Sequence, residues 1–184
     1  MRNRKLGKSL LASALGIAAL AGLSTPAGAA ATTATFTLTG GTGLAITAPA
    51  SSALSGGTTE SSATTATQMG AVSVSDTRGA LAGTWTATVS SSDFTTTGEG
   101  APAIAKDNVS YWSGAATASS GTATRLPGQL LAANKVTLDV SRTAFSASAV
   151  IGNNTAAWNP TVSVTVPAGS VAGTYTGTIT HSVA

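Results

Sequence analysis

The chain contains no cysteine among its 184 residues. That excludes a disulfide framework, a lipid-modified cysteine anchor, a thiolate metal site and a cysteine nucleophile. Histidine occurs once, at His181, so no His-His metal pair exists. Charged residues make up 8% and aromatic residues 4% of the chain, which leaves no dense basic face for nucleic acid. No apolar run reaches the roughly 20 residues that a membrane-spanning helix needs. Nucleotide-binding glycine fingerprints and a Gly-x-Ser-x-Gly elbow are absent as well.

What charge there is lies unevenly. Arg2, Arg4, Lys5 and Lys8 are four of the nine basic residues, and the six acids all fall after residue 31. The formal net charge of +3 therefore describes the N-terminus; from Ala31 onward five bases face six acids, a balance of −1. The basic start, the uncharged Leu/Ala/Gly-rich stretch Ser9–Leu23, the break at Ser24-Thr25-Pro26 and the small residues Ala27-Gly28-Ala29 read as a secretory signal peptide over 1–29, cleaved after Ala29. The mature product, 30–184, is expected to be extracellular, with no transmembrane anchor.

In place of charge the mature chain carries hydroxyls. From Ala31 to the end there are 31 threonines and 20 serines. Such a composition suits either disorder or strands with one wet face, and periodicity favours strands. Apolar and hydroxylated residues alternate over Ala34–Leu38, Val72–Ser75, Trp85–Val89, Val136–Ser141, Val162–Val166 and Tyr175–Thr180. Glycine-rich breaks such as Ser55-Gly56-Gly57, Gly98-Glu99-Gly100 and Gly152-Asn153-Asn154 separate these segments, and Pro167-Ala168-Gly169 joins the last two. The expected fold is all-β: one antiparallel two-sheet β-sandwich domain, Ig-like, after an N-terminal signal helix. Long loops are expected near 50–68 and 113–124, where apolar side chains are few.

Two blocks carry a family resemblance. One is Val72 to Gly79 with Asp76 and Arg78, followed by Gly83-Thr84-Trp85-Thr86-Ala87-Thr88-Val89. The other runs from Val162 through Pro167, Gly169, Gly173 and Tyr175 to Thr180. Together they resemble the WxL domain of Gram-positive surface proteins. The resemblance implies a secreted all-β protein held non-covalently on the cell wall, with peptidoglycan as the partner. It also marks Trp85, Gly79, Tyr175 and His181 as motif positions. Both Trp-x-Leu signatures are altered: Trp85-Thr86-Ala87 keeps only the tryptophan, and His181-Ser182-Val183 stands at the second.

Candidate contact residues follow from side-chain chemistry. Asp76 and Arg78 belong either to a polar recognition loop or to a turn in which Asp76 caps backbone N–H groups and Gly79 takes positive φ; the turn is the favoured reading. Exposed aromatic faces bind sugars by stacking, which selects Trp112 and Trp158, with Tyr111 beside Trp112; Trp85 is in phase with Ala87 and Val89 and reads as core. A Ser-His-Asp triad through His181 and Asp76 has no supporting motif. Glu60 and Glu99 show no glycosidase spacing. The reading is therefore a non-catalytic surface protein with no cofactor or metal, partnered by a wall polymer or other surface proteins. The alternatives are a structural or adhesive subunit assembling through strand edges and a secreted wall-glycan hydrolase.

Overall fold

In an extended chain successive side chains point to opposite faces, so an alternating sequence splits into a dry and a wet side. Val72 and Val74 are fully buried while Ser73 and Ser75 between them are not, and Trp85, Ala87 and Val89 repeat the pattern against Thr84, Thr86 and Thr88. The computed structural model describes residues 35–39, 41, 43–54, 64–98 and 100–184, and the fold below is that of the compact unit 38–184. The signal segment 1–29, the turn at Ser55-Gly56-Gly57, and Ala34, Glu60 and Glu99 lie outside the described residues.

Ten strands follow in order: β1 (Leu44–Thr47), β2 (Thr64–Gln68), β3 (Val72–Asp76), β4 (Leu81–Ser91), β5 (Val109–Trp112), β6 (Ala116–Pro127), β7 (Val136–Thr137), β8 (Arg142–Trp158), β9 (Thr161–Thr165) and β10 (Ile179–Val183). Two 3-10 turns, Lys106–Asn108 and Ala132–Asn134, are the helical content of the described residues. The chain is mostly antiparallel β in two sheets. The smaller sheet has the order β2-β9-β5-β7.

The larger sheet is organised on β8. β3 pairs with residues 154–158 of β8 and β4 with residues 142–151, both antiparallel. β6 pairs with the same stretch, from Trp158 to Phe145. A strand has two hydrogen-bonding edges, so β3 and β4 run end to end along one edge of β8 and β6 runs along the other. β1 then flanks β3, and β10 flanks β4. The inner faces of both sheets contribute to one core of Val72, Val74, Trp85, Val89, Phe145 and Trp158 from the larger sheet and Val109, Tyr111, Val162 and Val164 from the smaller. Phe145 stacks on Trp158 at 4.9 Å and on Trp85 at 6.5 Å between ring centroids. Burying a ring of this size contributes at most about 4–6 kcal/mol before its entropy cost.

Several segments differ from the sequence reading. The region 113–124, expected as a loop, belongs largely to β6; its small hydroxylated side chains are exposed on both faces, and backbone pairing to β8 alone makes it a strand. The expected loop 50–68 ends in β2, whose Thr64–Gln68 pairs with β9. Gly152-Asn153-Asn154, expected as a turn, lies inside β8, with Asn154 buried. The strand expected at 136–141 shrinks to Val136–Thr137, and Val140 is exposed. Residues 35–39 form no strand, and in the last segment the ladder begins only at Ile179, after a single bridge between Thr176 and Thr95. Bulges explain why β8 itself shows no clean alternation. Register shifts near Gly83 and Ser148 coincide with positive φ at Ala82 (60°) and Ala149 (50°). Each bulge pushes an extra residue out of the pleat and resets which side faces the core.

Candidate functional site

The residues singled out from the sequence gather into two polar clusters, one at each end of the aromatic stack. The first is the turn after β3. Asp76 is buried at the strand end, and its Oδ1 accepts from the Arg78 backbone N–H at 3.0 Å, the hydrogen bond of an Asx turn. Arg78 closes the pair with two further bonds, Nε to Oδ1 and Nη2 to Oδ2, each 2.9 Å. Its Nη2 also donates to the Thr84 carbonyl at 2.8 Å, tying the turn to β4. Gly79 follows at φ 64°, a left-handed conformation that a side chain resists. The guanidinium holds the Asp76 carboxyl below its usual range, and neighbouring Asn154 adds a smaller pull, although Asn154 Nδ2 closes no hydrogen bond of its own. Every hydrogen bond described for the Arg78 side chain goes to Asp76 or Thr84.

Asn154 was not singled out from the sequence. Its Oδ1 accepts from Trp85 Nε1 at 3.1 Å, linking this cluster to the core. A buried asparagine inside a strand has no pattern signature, and the neighbouring Gly152-Asn153 disguised it as a turn.

The second cluster is neutral. Trp158 is fully buried, so its face is not open to a sugar, contrary to the expectation of a surface contact. Pro160 and Thr161 just after it are buried as well, which removes the exposed edge that the sequence suggested. Its Nε1 donates to Tyr111 Oη at 3.1 Å, and Tyr111 is also fully buried. Tyr111 Oη meets His181 Nε2 at 3.3 Å. The His181 ring lies against both aromatics, with centroids 5.8 Å from Tyr111 and 6.5 Å from Trp158. Burial pushes the Tyr111 phenol well above its usual value and pulls His181 down to about 4.

Trp112, next to Tyr111 on β5, points the other way and is partly exposed. Of the three tryptophans it alone retains an accessible ring. Tyr175 packs at the margin of the core and donates its hydroxyl to the Val171 carbonyl at 3.1 Å.

His181 and Asp76 are not brought together: the first contacts aromatic rings, the second an arginine. The drawn triad therefore has no geometric support. Among the described residues no three His, Asp or Glu side chains group as metal ligands, and no helix is long and apolar enough to cross a membrane.

Outside the core the larger sheet carries many hydroxyls, interrupted by exposed Leu81, Leu126 and Ile151. On the larger sheet Thr86 of β4 stands opposite Ser146 of β8, Thr88 opposite Thr143, and Ser148 opposite Thr124 of β6. Thr124, Thr86 and Thr143 are exposed, and the Ser120 and Thr155 hydroxyls bond to each other across β6 and β8 at 2.8 Å. Comparison with known proteins adds no relative: no family model, no curated protein and no solved structure matches the chain.

Proposed function

We propose that this is an exported, non-catalytic surface protein whose hydroxylated outer sheet face associates non-covalently with a cell-wall glycan such as peptidoglycan. The observation that supports it is the Thr/Ser pairing across β4, β8 and β6, an array of hydroxyl donors and acceptors on the larger sheet; Trp112, on β5 of the smaller sheet, offers a separate accessible ring. Hydroxyls exchange hydrogen bonds with sugar hydroxyls without the desolvation cost of ions. In this reading the two sheets form an Ig-like β-sandwich, residues 1–29 act as a signal peptide, and the WxL resemblance supplies the wall as the partner. Purified 30–184 is incubated with isolated cell walls, and bound and free fractions are compared with those of Thr86→Val, Thr143→Val and Trp112→Ala. Binding that these changes weaken while the fold persists supports the reading. Recovery of the parent protein wholly in the supernatant, across salt and pH, sinks it.

A second reading is an assembling subunit. Among the described residues β6 ladders only with β8, which leaves it a free edge where Arg125 caps the Ser120, Gly121 and Ala123 carbonyls and no strand pairs. Light scattering during size-exclusion chromatography tests it: concentration-dependent oligomers abolished by Ser119→Pro support it, and a strict monomer at high concentration overturns it.

A further inference from the structure

β10 is an end strand of the larger sheet that also lies against β1. It ladders with β4 and no other strand, and none of its residues is fully buried. Its inward side chains are Ile179, His181 and Val183; the two aliphatic ones pack on the core, and the His181 ring closes the chain of hydrogen bonds from Trp158 through Tyr111.

Counting hydrogens fixes how that chain is wired. Indole Nε1 only donates, so Tyr111 Oη accepts from Trp158. The phenol has one hydrogen left, and His181 Nε2 is the partner in reach. Nε2 is then an acceptor and the imidazole hydrogen sits on Nδ1. Nδ1 is buried and has no hydrogen-bond partner. The reverse wiring, with Nε2 donating, strands both the phenol hydrogen and Nδ1, so the first arrangement leaves fewer orphans.

The pocket accommodates a neutral ring and offers nothing to a cation. Tyr111 on β5 is the titratable group observed against His181, and burial keeps it protonated. Trp158 on β8 carries no charge. β1, β4 and β9 contain no ionisable side chain. Arg142 of β8 shares the cross-strand row through Val89, and its guanidinium is bound to Asp139 and to the Thr137 carbonyl. No carboxylate faces the ring in any observed contact. A proton added at Nε2 would displace the Tyr111 hydrogen from its acceptor and place a charge without a counter-ion beside two aromatic rings.

We propose that His181 is an acid-sensitive latch for the last strand: protonation of its ring releases Ile179–Val183 from β4 while the remainder of the core stays folded. Release relieves the buried charge by exposing the ring to water, and β10, an end strand laddered to β4 alone among the described residues, can open without breaking another ladder. The depressed proton affinity of His181 agrees with this geometry.

Amide hydrogen exchange on intact 30–184, corrected for intrinsic rates, tests the latch. Between pH 7 and pH 5 the Thr180 and Ser182 amides, which face β4, should exchange roughly twentyfold faster, because protonation of the released ring raises opening about threefold from pH 7 to 6 and about sevenfold from pH 6 to 5. The Val162 and Val164 amides of β9 should not change, and His181→Gln should make the β10 amides insensitive to pH. Three results overturn the latch: β10 protection independent of pH, simultaneous loss of protection in β9 and β10, or an unchanged pH response in His181→Gln. If that variant does not fold, the parent protein's β10-against-β9 comparison decides the matter.

Discussion

The two polar clusters flank the same aromatic stack and solve burial in different ways. At the β3 end a carboxylate is buried beside a guanidinium, which neutralises it and supplies two of its hydrogen bonds. At the β10 end three neutral groups share hydrogens in a line that terminates on an unpartnered imidazole nitrogen. The first arrangement rests on charge and is lost when charge is removed. The second rests on neutrality and is lost when charge is added. Both look identical from the sequence, as isolated polar residues in apolar strands, so only the partner each finds reveals its sensitivity.

The contrast can be broken at its shared element first. Trp158→Ala removes the ring that stacks on Phe145 and donates to Tyr111, and should cost about 3–5 kcal/mol in urea unfolding. Acid distinguishes the ends next. Above pH 6.5 His181 is neutral in both the folded and unfolded chain, and its contribution is intact. Between 6.5 and about 4 only the unfolded chain binds the proton, so stability falls with pH, and it falls no further once both forms are protonated. The total is about 3 kcal/mol, read from unfolding free energies across that window. Asp76 behaves oppositely in range: its stabilisation is present above the ordinary carboxylate value of 3.8 and disappears only as pH drops through its lower folded value. The β10 end therefore fails first on acidification.

Asp76→Ala should cost roughly 2 kcal/mol at neutral pH, less than loss of a fully buried pair because Arg78 keeps part of its hydration. Its measurable signature is that the deficit shrinks below pH 3.8. Tyr111→Phe strands the Trp158 indole N–H and should cost about 1–2 kcal/mol, with a shift in tryptophan emission as the second readout. Gly79→Ala tests only the turn geometry at φ 64° and should cost about 1 kcal/mol in thermal or urea unfolding.

The sequence displayed part of this architecture openly. Val72–Ser75, Trp85–Val89 and Val162–Thr165 alternate cleanly, and each is a strand with its apolar residues inside. The Asp76–Gly79 turn was legible because short-range side-chain bonds and positive φ leave local signatures. β8 was not legible, since a register shift between Thr143 and Phe145 places Ala144 and Phe145 both inward, and the bulge at Ala149 places Ser148 and Ala149 both outward. β6 was hidden for another reason: its first half is exposed throughout and only Ala123 packs on the core, so it has almost no apolar rhythm to show. The Tyr111–Trp158–His181 cluster joins residues 70 positions apart, and no local pattern predicts which of three tryptophans turns inward.

The central position of β8 has a consequence for the time order of folding. β3, β4 and β6 all precede it in the chain, and all three take their long ladders from it. A chain synthesised or threaded from its N-terminus therefore presents these strands before their shared partner exists. Up to residue 142 the larger sheet has only the β1–β3 pairing to draw on. Arrival of seventeen residues then offers both edges of a template at once. Folding of this kind is slow to begin, because distant segments must meet, and abrupt once it does. Until then β4 and β6 have no partner in the larger sheet, and the abundant threonine and serine of the waiting strands keep one face of each compatible with water.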